Sequence, residues 1–323
     1  MNLNPAKRLI PPVILIGMHR SGTSLVSRIL RELGVFMGWD REINDEATFF
    51  LYRNEAILNF LGGSWANPVE VNFSYNNHEG RMILARLKKD INSLPSFSYL
   101  GPELFLKYRG IINLNLPWGW KDPRNTYTLS LWLEIFPGSK IIHIYRNGVD
   151  VAQSLIRRER RRLANSRVNR KGASYFFSRQ IRLLREKGFM ILLARRYWEL
   201  IKYLEPLYKN YQNRIEDEIS LDRGFQLWCT YLDQVKKMET RDGITIHHIK
   251  YENFLSHPEK SIKEIAQFCN IPCDNERIAY LGQIINPQRR FSFLENEDLV
   301  EFYKKVKDNY WMETLGYSKL LSA

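Results

Sequence analysis

The chain has 323 residues, 44% of them hydrophobic, and a formal net charge of +13 from 48 basic and 35 acidic side chains. That apolar share supports a sizeable core and argues against a disordered chain, while the basic balance directs attention to anionic partners: nucleic acid, an acidic lipid surface, or a polyanionic substrate or cofactor. Cys229, Cys269 and Cys273 make no disulfide framework, which points to a reducing, cytoplasmic setting, and no run of ~18 apolar residues predicts a membrane span.

Residues 12–17 read as a first strand and 23–34 as its helix, with Leu25, Ile29, Leu30 and Leu33 on one face and Gly34 as the stop. The segment before the strand carries Lys7 and Arg8, but Pro11 and Pro12 break it and no small-residue cleavage site follows, so it does not read as a signal peptide. Helices are predicted over 46–61, closing at Gly62-Gly63, and over 79–92. Trp118 to Lys121 is a short strand, Thr126 to Phe136 a helix ended by Pro137-Gly138, and Lys140 to Tyr145 an apolar strand. Residues 148–158 continue as a helix into the basic run Arg157 to Arg170, which is either a solvated face or a lid over an anionic ligand. Helices at 175–204 and 221–240, a strand at Ile244 to Lys250, a helix at 258–269 and a last helix from Asp298 to Tyr310 complete the pattern. Strands alternating with helices predict an α/β fold with a mainly parallel sheet, helices on both faces and ligands at the carboxyl ends of the strands.

Three strand ends carry the chemistry. The first runs into Gly17-Met18-His19-Arg20-Ser21-Gly22-Thr23-Ser24. A Walker A loop has Gly-x4-Gly-Lys-Ser/Thr at this spacing. Here Thr23 stands where the lysine would be, and the cation sits at Arg20. Free N–H groups of the first helical turn, the helix dipole and the Thr23 and Ser24 hydroxyls suit an anion, and Gly17 and Gly22 allow the tight path. Such a loop wraps a phosphate without being built to move a γ-phosphoryl group with Mg²⁺. The second strand ends in Lys121-Asp122-Pro123-Arg124. The third ends in Arg146, and Ser154 lies about two turns along the following helix, facing the same edge. Arg146 and Ser154 suit a second phosphate, and two separate phosphate grips point to a nucleotide phosphorylated at both ends.

At these residues the chain resembles the sulfotransferases that use 3′-phosphoadenosine 5′-phosphosulfate (PAPS). Arg20 to Ser24 is similar to their 5′-phosphosulfate loop, and Arg146 with Ser154 to their 3′-phosphate motif. Lys250-Tyr251-Glu252-Asn253-Phe254 is similar to the strand-end segment whose tyrosine lies by the adenine, and Asn309 to Tyr317 to the closing segment of bacterial members. The resemblance runs from about residue 12 to 317 and is weakest over 157–220, a mostly helical, basic insertion in what is expected to be one domain.

It implies a three-layer P-loop NTPase-like fold, PAPS as co-substrate and no metal. Arg20 would sit on the leaving 5′-phosphate, and Lys121 matches a lysine that tyrosylprotein sulfotransferases use on the transition state. The base is a carboxylate near the start of the second helix in the Golgi-type enzymes, because the histidine segment of the cytosolic ones has no counterpart here. Glu46 is favoured over Glu42 and Glu55, and His19, inside the loop, is the next candidate. The aromatic stretch Trp65 to Tyr75 and the segment 96–120 are expected to shape the acceptor pocket, for a small molecule, a glycan or a lipid-linked glycan, with room for peripheral membrane contact. Two rivals are a kinase with a degenerate loop and a basic nucleic-acid-binding protein. No aromatics interleave with the 157–170 cluster, which argues against base stacking.

Overall fold

The computed structural model describes residues 10–69, 78–169 and 219–321. Four strands, β1 (Val13–Ile16), β2 (Gly119–Lys121), β3 (Lys140–Tyr145) and β4 (Ile246–Lys250), form one sheet in the order β2-β1-β3-β4. Every pairing is parallel, with Val13 opposite Gly119 and Lys140, and Ile141 opposite Ile246. Alternate residues of β1 and β3 enter different cores. Ile14, Ile16 and Ile141 face one cluster, and Val13, Leu15, Ile142 and Ile144 the other. Period-two burial on both faces is what a sheet covered by helices on both sides requires.

The helices are α1 (Thr23–Glu32), α2 (Thr48–Phe60), α3 (His78–Ile91), α4 (Phe97–Tyr108), α5 (Asn125–Ile135) and α6 (Gly148–Asn169). They continue as α7 (Leu221–Asp242), α8 (Tyr251–Ser256), α9 (Pro258–Cys269), α10 (Asn275–Gln283), α11 (Glu297–Val306) and α12 (Tyr310–Thr314). The chain passes from β1 outward to β2, returns across β1 to β3, and then leaves outward to β4. Connections therefore diverge from the carboxyl ends of β1 and β3, and a crevice opens at that switch point.

The structure differs from the sequence expectation in several places. The second helix starts at Thr48, so Glu46 lies in the turn ahead of it rather than inside it. Asp40 explains the later start: its backbone carbonyl accepts from Thr48 N at 3.0 Å and its carboxylate from Thr48 Oγ1 at 2.9 Å, fixing the chain there. Residues 96–120 contain α4, which a kink at Gly101-Pro102 hides from a periodicity search. Tyr99, Trp118 and Trp120 of this segment are core, and no residue of it lines the cavity at the strand ends among the described residues. The last helix is two, because the Asn309 side chain accepts from Trp311 N and starts α12 afresh. Helices α8 and α10 were not anticipated. The helix expected at 175–204, most of the 157–220 insertion and the end of the Trp65 to Tyr75 stretch fall outside the described residues.

Candidate functional site

The loop after β1 is set by its glycines. Gly17 has φ +131°, and a Cβ there would lie 2.3 Å from the Ile144 carbonyl oxygen. Gly22 has φ +99°, and a Cβ would lie 2.4 Å from Cδ2 of Tyr251. The Tyr251 ring thus rests on the bare backbone at the start of α1. Arg20 also adopts a left-handed conformation, φ 73°. Ser21 is fully buried, and its hydroxyl has no protein partner.

The loop opens into a cavity of about 410 Å³ at the carboxyl ends of β1, β2 and β3. His19, Arg20, Glu46, Lys121, Arg146 and Tyr251 line it, with Arg28, Arg158 and Arg289 adding positive charge. Most of these cations have acidic neighbours: Lys121 pairs with Glu46, Arg146 with Asp150 at 3.2 Å, and Arg158 with Glu159 at 2.9 Å. Arg20 instead gives its Nε proton to the Ser154 hydroxyl at 2.9 Å. Burial and the surrounding Arg158, Arg146, Arg161 and Arg289 push its pKa down. A guanidinium surrounded by other cations attracts an anion.

Arg146 lines the same cavity and is near enough to act on Arg20. Its Nη2 donates to the Arg289 carbonyl at 3.0 Å, its guanidinium lies 4.8 Å from the Tyr251 ring centre, and its Nε is buried without a partner. Asp150 anchors the wall behind it by accepting from the Ser292 hydroxyl at 2.7 Å and from Phe293 N at 3.0 Å. Glu252 joins the strand ends by accepting from Asn147 N at 2.9 Å and the Tyr317 hydroxyl at 2.6 Å.

In the same cavity, Lys121 Nζ lies 2.6 Å from Glu46 Oε1. Both side chains are almost wholly buried, at 1% and 8% exposure. Burial raises the Glu46 pKa, Lys121 opposes that rise, and Asp122 adds to it. His19 packs edge-on against Trp65 with ring centres 4.7 Å apart, and Arg158 lies 4.3 Å from the same indole. Burial, then Arg158, Arg124, Lys121 and Arg20, lower the His19 pKa well below its usual value, so its imidazole is neutral.

Of the residues singled out in the sequence, the structure brings together Arg20, Gly22, Thr23, Ser24, Glu46, Lys121, Arg146 and Tyr251 around one cavity. Ser154 reaches it through Arg20. Ser24 also lines it, while its hydroxyl donates to the Asn44 carbonyl at 2.7 Å. Glu42 and Glu55 do not line it. Glu42 is at the base of the loop carrying Glu46, and Glu55 lies 3.9 Å from Arg124. Sequence reasoning missed Arg289, brought in by a segment with no motif, and Asp45, which pairs with Arg31 at 2.9 Å.

Fold and site define an α/β protein with a cation-lined cleft at the carboxyl ends of its parallel strands. The sulfotransferase family matches residues 11–200, and a second match, to the sulfotransferase domain, covers residues 130–293. The chain belongs to the sulfotransferase family and is a transferase. Among solved structures it is similar to sulfotransferase STF9 of Mycobacterium avium, at 13% identity and a TM-score of 0.40, covering 94% of this chain and 77% of that one. It is also similar to the sulfotransferase domain of the curacin biosynthetic pathway, at 15% identity and 0.42, covering 97% and 98%. A third is the sulfotransferase domain of the Synechococcus PCC 7002 olefin synthase, at 12% identity and 0.39, covering 100% and 98%. No curated protein matches the chain in sequence.

Proposed function

We propose that the protein transfers a sulfuryl group from PAPS to a hydroxyl or amine of an acceptor such as a glycan or lipid-linked glycan. The observation that carries this reading is one cleft lined by Arg20 and the start of α1, by Arg146 and Arg289, and by the buried Glu46–Lys121 pair. The lining fits such a donor: Arg146 Nε is a buried polar atom without a protein partner, as expected of a group that receives a phosphate oxygen, whereas the Ser21 hydroxyl, also without one, lies outside the cavity lining.

Arg20, Ser21, Gly22, Thr23 and Ser24 hold the 5′ end, Arg146 and Ser154 the 3′-phosphate, and Tyr251 the adenine. The donor supplies the sulfuryl group. The chain supplies position and charge, which dominate transfers of this kind. Arg20 and Lys121 neutralise charge on the leaving side. Glu46 takes the acceptor's proton, so it must be ionised, and Lys121 favours that form. The kinase alternative lacks its lysine at Thr23, and the Ser24 hydroxyl, which faces Mg²⁺ in a Walker loop, is engaged by Asn44. Three cysteines without disulfides agree with a cytoplasmic setting, and no helix among the described residues is long and apolar enough to cross a membrane.

The test is to incubate the protein with PAPS and acceptor pools and read gain of one sulfuryl group by mass spectrometry, with calorimetry of adenosine 3′,5′-bisphosphate against AMP. Equal affinity for the two nucleotides would sink the two-phosphate reading.

A further inference from the structure

Glu46 sits at the end of a short loop whose shape local sequence does not explain. Arg41 and Ala47 form an antiparallel bridge, and Glu42 N donates to the Glu46 carbonyl at 2.8 Å. Asp45 N donates back to the Glu42 carbonyl at 3.0 Å, which closes a tight turn. Asp45 completes that turn with φ 65°, a left-handed conformation that aspartate tolerates better than most residues but does not prefer. Something outside the loop holds it there.

That support is α1. Arg31 Nη1 donates to Asp45 Oδ1 at 2.9 Å, and Arg28 Nε, which donates to the Ser24 carbonyl at 3.2 Å, lies 3.6 Å from Oδ2, so one carboxylate faces two guanidinium groups one helical turn apart. Asp45 is only 16% exposed in this contact, although Arg28 is 60% exposed. One residue earlier, the Asn44 carbonyl accepts from the Ser24 hydroxyl at 2.7 Å. The next residue is Glu46, whose carboxylate meets Lys121 on β2. The loop is therefore tied on one side to the helix that follows the Gly17–Ser24 loop and on the other to the strand that carries Lys121.

We propose that Asp45 is a positioning residue: its ion pairs to Arg31 and Arg28 hold the left-handed turn that aims Glu46 at Lys121. This rests on the reading of Glu46 as the base. It gives a reason for an aspartate at a position where glycine would satisfy the backbone with less strain. Glycine supplies the φ value but not the anchor.

The test separates backbone from anchor. Asp45→Gly keeps the turn and removes the carboxylate. Asp45→Asn keeps the turn and one acceptor oxygen. The acceptor-independent readout is ¹³C NMR of glutamate-labelled protein, with the Glu46 resonance assigned by Glu46→Gln. In the wild-type protein the buried Glu46 carboxyl titrates above the ordinary range, with Lys121, Asp122 and Arg124 acting on it. In Asp45→Gly that resonance should move to the titration of a solvated carboxylate, and Asp45→Asn should restore part of the difference. The kinetic readout is release of adenosine 3′,5′-bisphosphate from PAPS with water as acceptor. Asp45→Gly should lower that rate about ten- to a hundredfold, as a displacement of a reacting group by about 1 Å can do. Arg31→Gln should lower it too, and the double variant should be no worse than Asp45→Gly alone. An unchanged Glu46 titration in Asp45→Gly, or fully additive effects of Asp45→Gly and Arg31→Gln, overturns the proposal. If Glu46→Gln leaves turnover intact, the base assignment fails instead, and the NMR result still decides whether Asp45 positions Glu46.

Discussion

Replacing Lys121 with methionine keeps the stem in place and removes the ammonium 2.6 Å from Glu46 Oε1. Burial is the largest influence on Glu46 and raises its pKa, and Lys121 is the largest opposing influence. Without it the Glu46 pKa climbs further. A carboxyl whose folded pKa lies above its unfolded value binds protons more tightly when folded. Its stabilising contribution is complete below the unfolded pKa of about 4.3 and is lost as pH rises through the folded value. The Lys121→Met protein should therefore lose stability relative to wild type as pH rises, approaching the roughly 3–5 kcal/mol typical of a buried ion pair broken from one side. Turnover should move the other way. Glu46 must be ionised to accept a proton, so kcat of the variant should still be rising with pH where the wild-type rate has levelled. Removal of one charge from the leaving side should itself cost about 10²–10³ in kcat. Adenosine 3′,5′-bisphosphate release, followed from about pH 5.5 to 9.5 alongside melting temperatures, reads both effects against the expected dependence on an ionised base. A variant whose pH profile overlays the wild type, with kcat within about threefold, would refute the catalytic pairing of Lys121 and Glu46.

Arg146→Ala should abolish the preference for adenosine 3′,5′-bisphosphate over AMP, which in the wild-type protein should be at least about a hundredfold from charged hydrogen bonds of roughly 1.5–3 kcal/mol each; calorimetry reads it directly. Gly22→Ala places a Cβ 2.4 Å from Tyr251 Cδ2 at φ +99°, so it should displace that ring and weaken nucleotide binding about tenfold or more, and unchanged affinity would dissociate Tyr251 from the nucleotide. Burial, with His248 adding, pushes the His143 pKa down to about 3. Between that value and the unfolded value of about 6.5 the unfolded chain binds more protons, so stability should fall as pH drops through this window. The slope from this residue approaches ~1.4 kcal/mol per pH unit, and His143→Gln should flatten it in urea melts.

What the sequence determined by itself is what contiguous chain can encode. A strand, two glycines that admit positive φ, and an amphipathic helix make the β1–α1 turn within a dozen residues, and Lys140 to Tyr145 followed by Arg146 makes a second cationic strand end in the same way. These features rest on backbone geometry and periodicity, so they are legible without partners. Helix α4 was not, because Gly101 and Pro102 interrupt its period, and neither was the start of α2, because Asp40 rather than Glu46 receives Thr48. Which of Glu46, Glu42 and Glu55 lines the cavity was equally a matter of contact. Glu46 meets Lys121 across 75 positions of sequence, and Arg20 meets Ser154 across 134. Arg289 enters through a segment with no motif at all. Only the tertiary structure decided those pairings, since parallel strands separated by long crossovers bring together side chains whose spacing in the chain carries no trace of their contact.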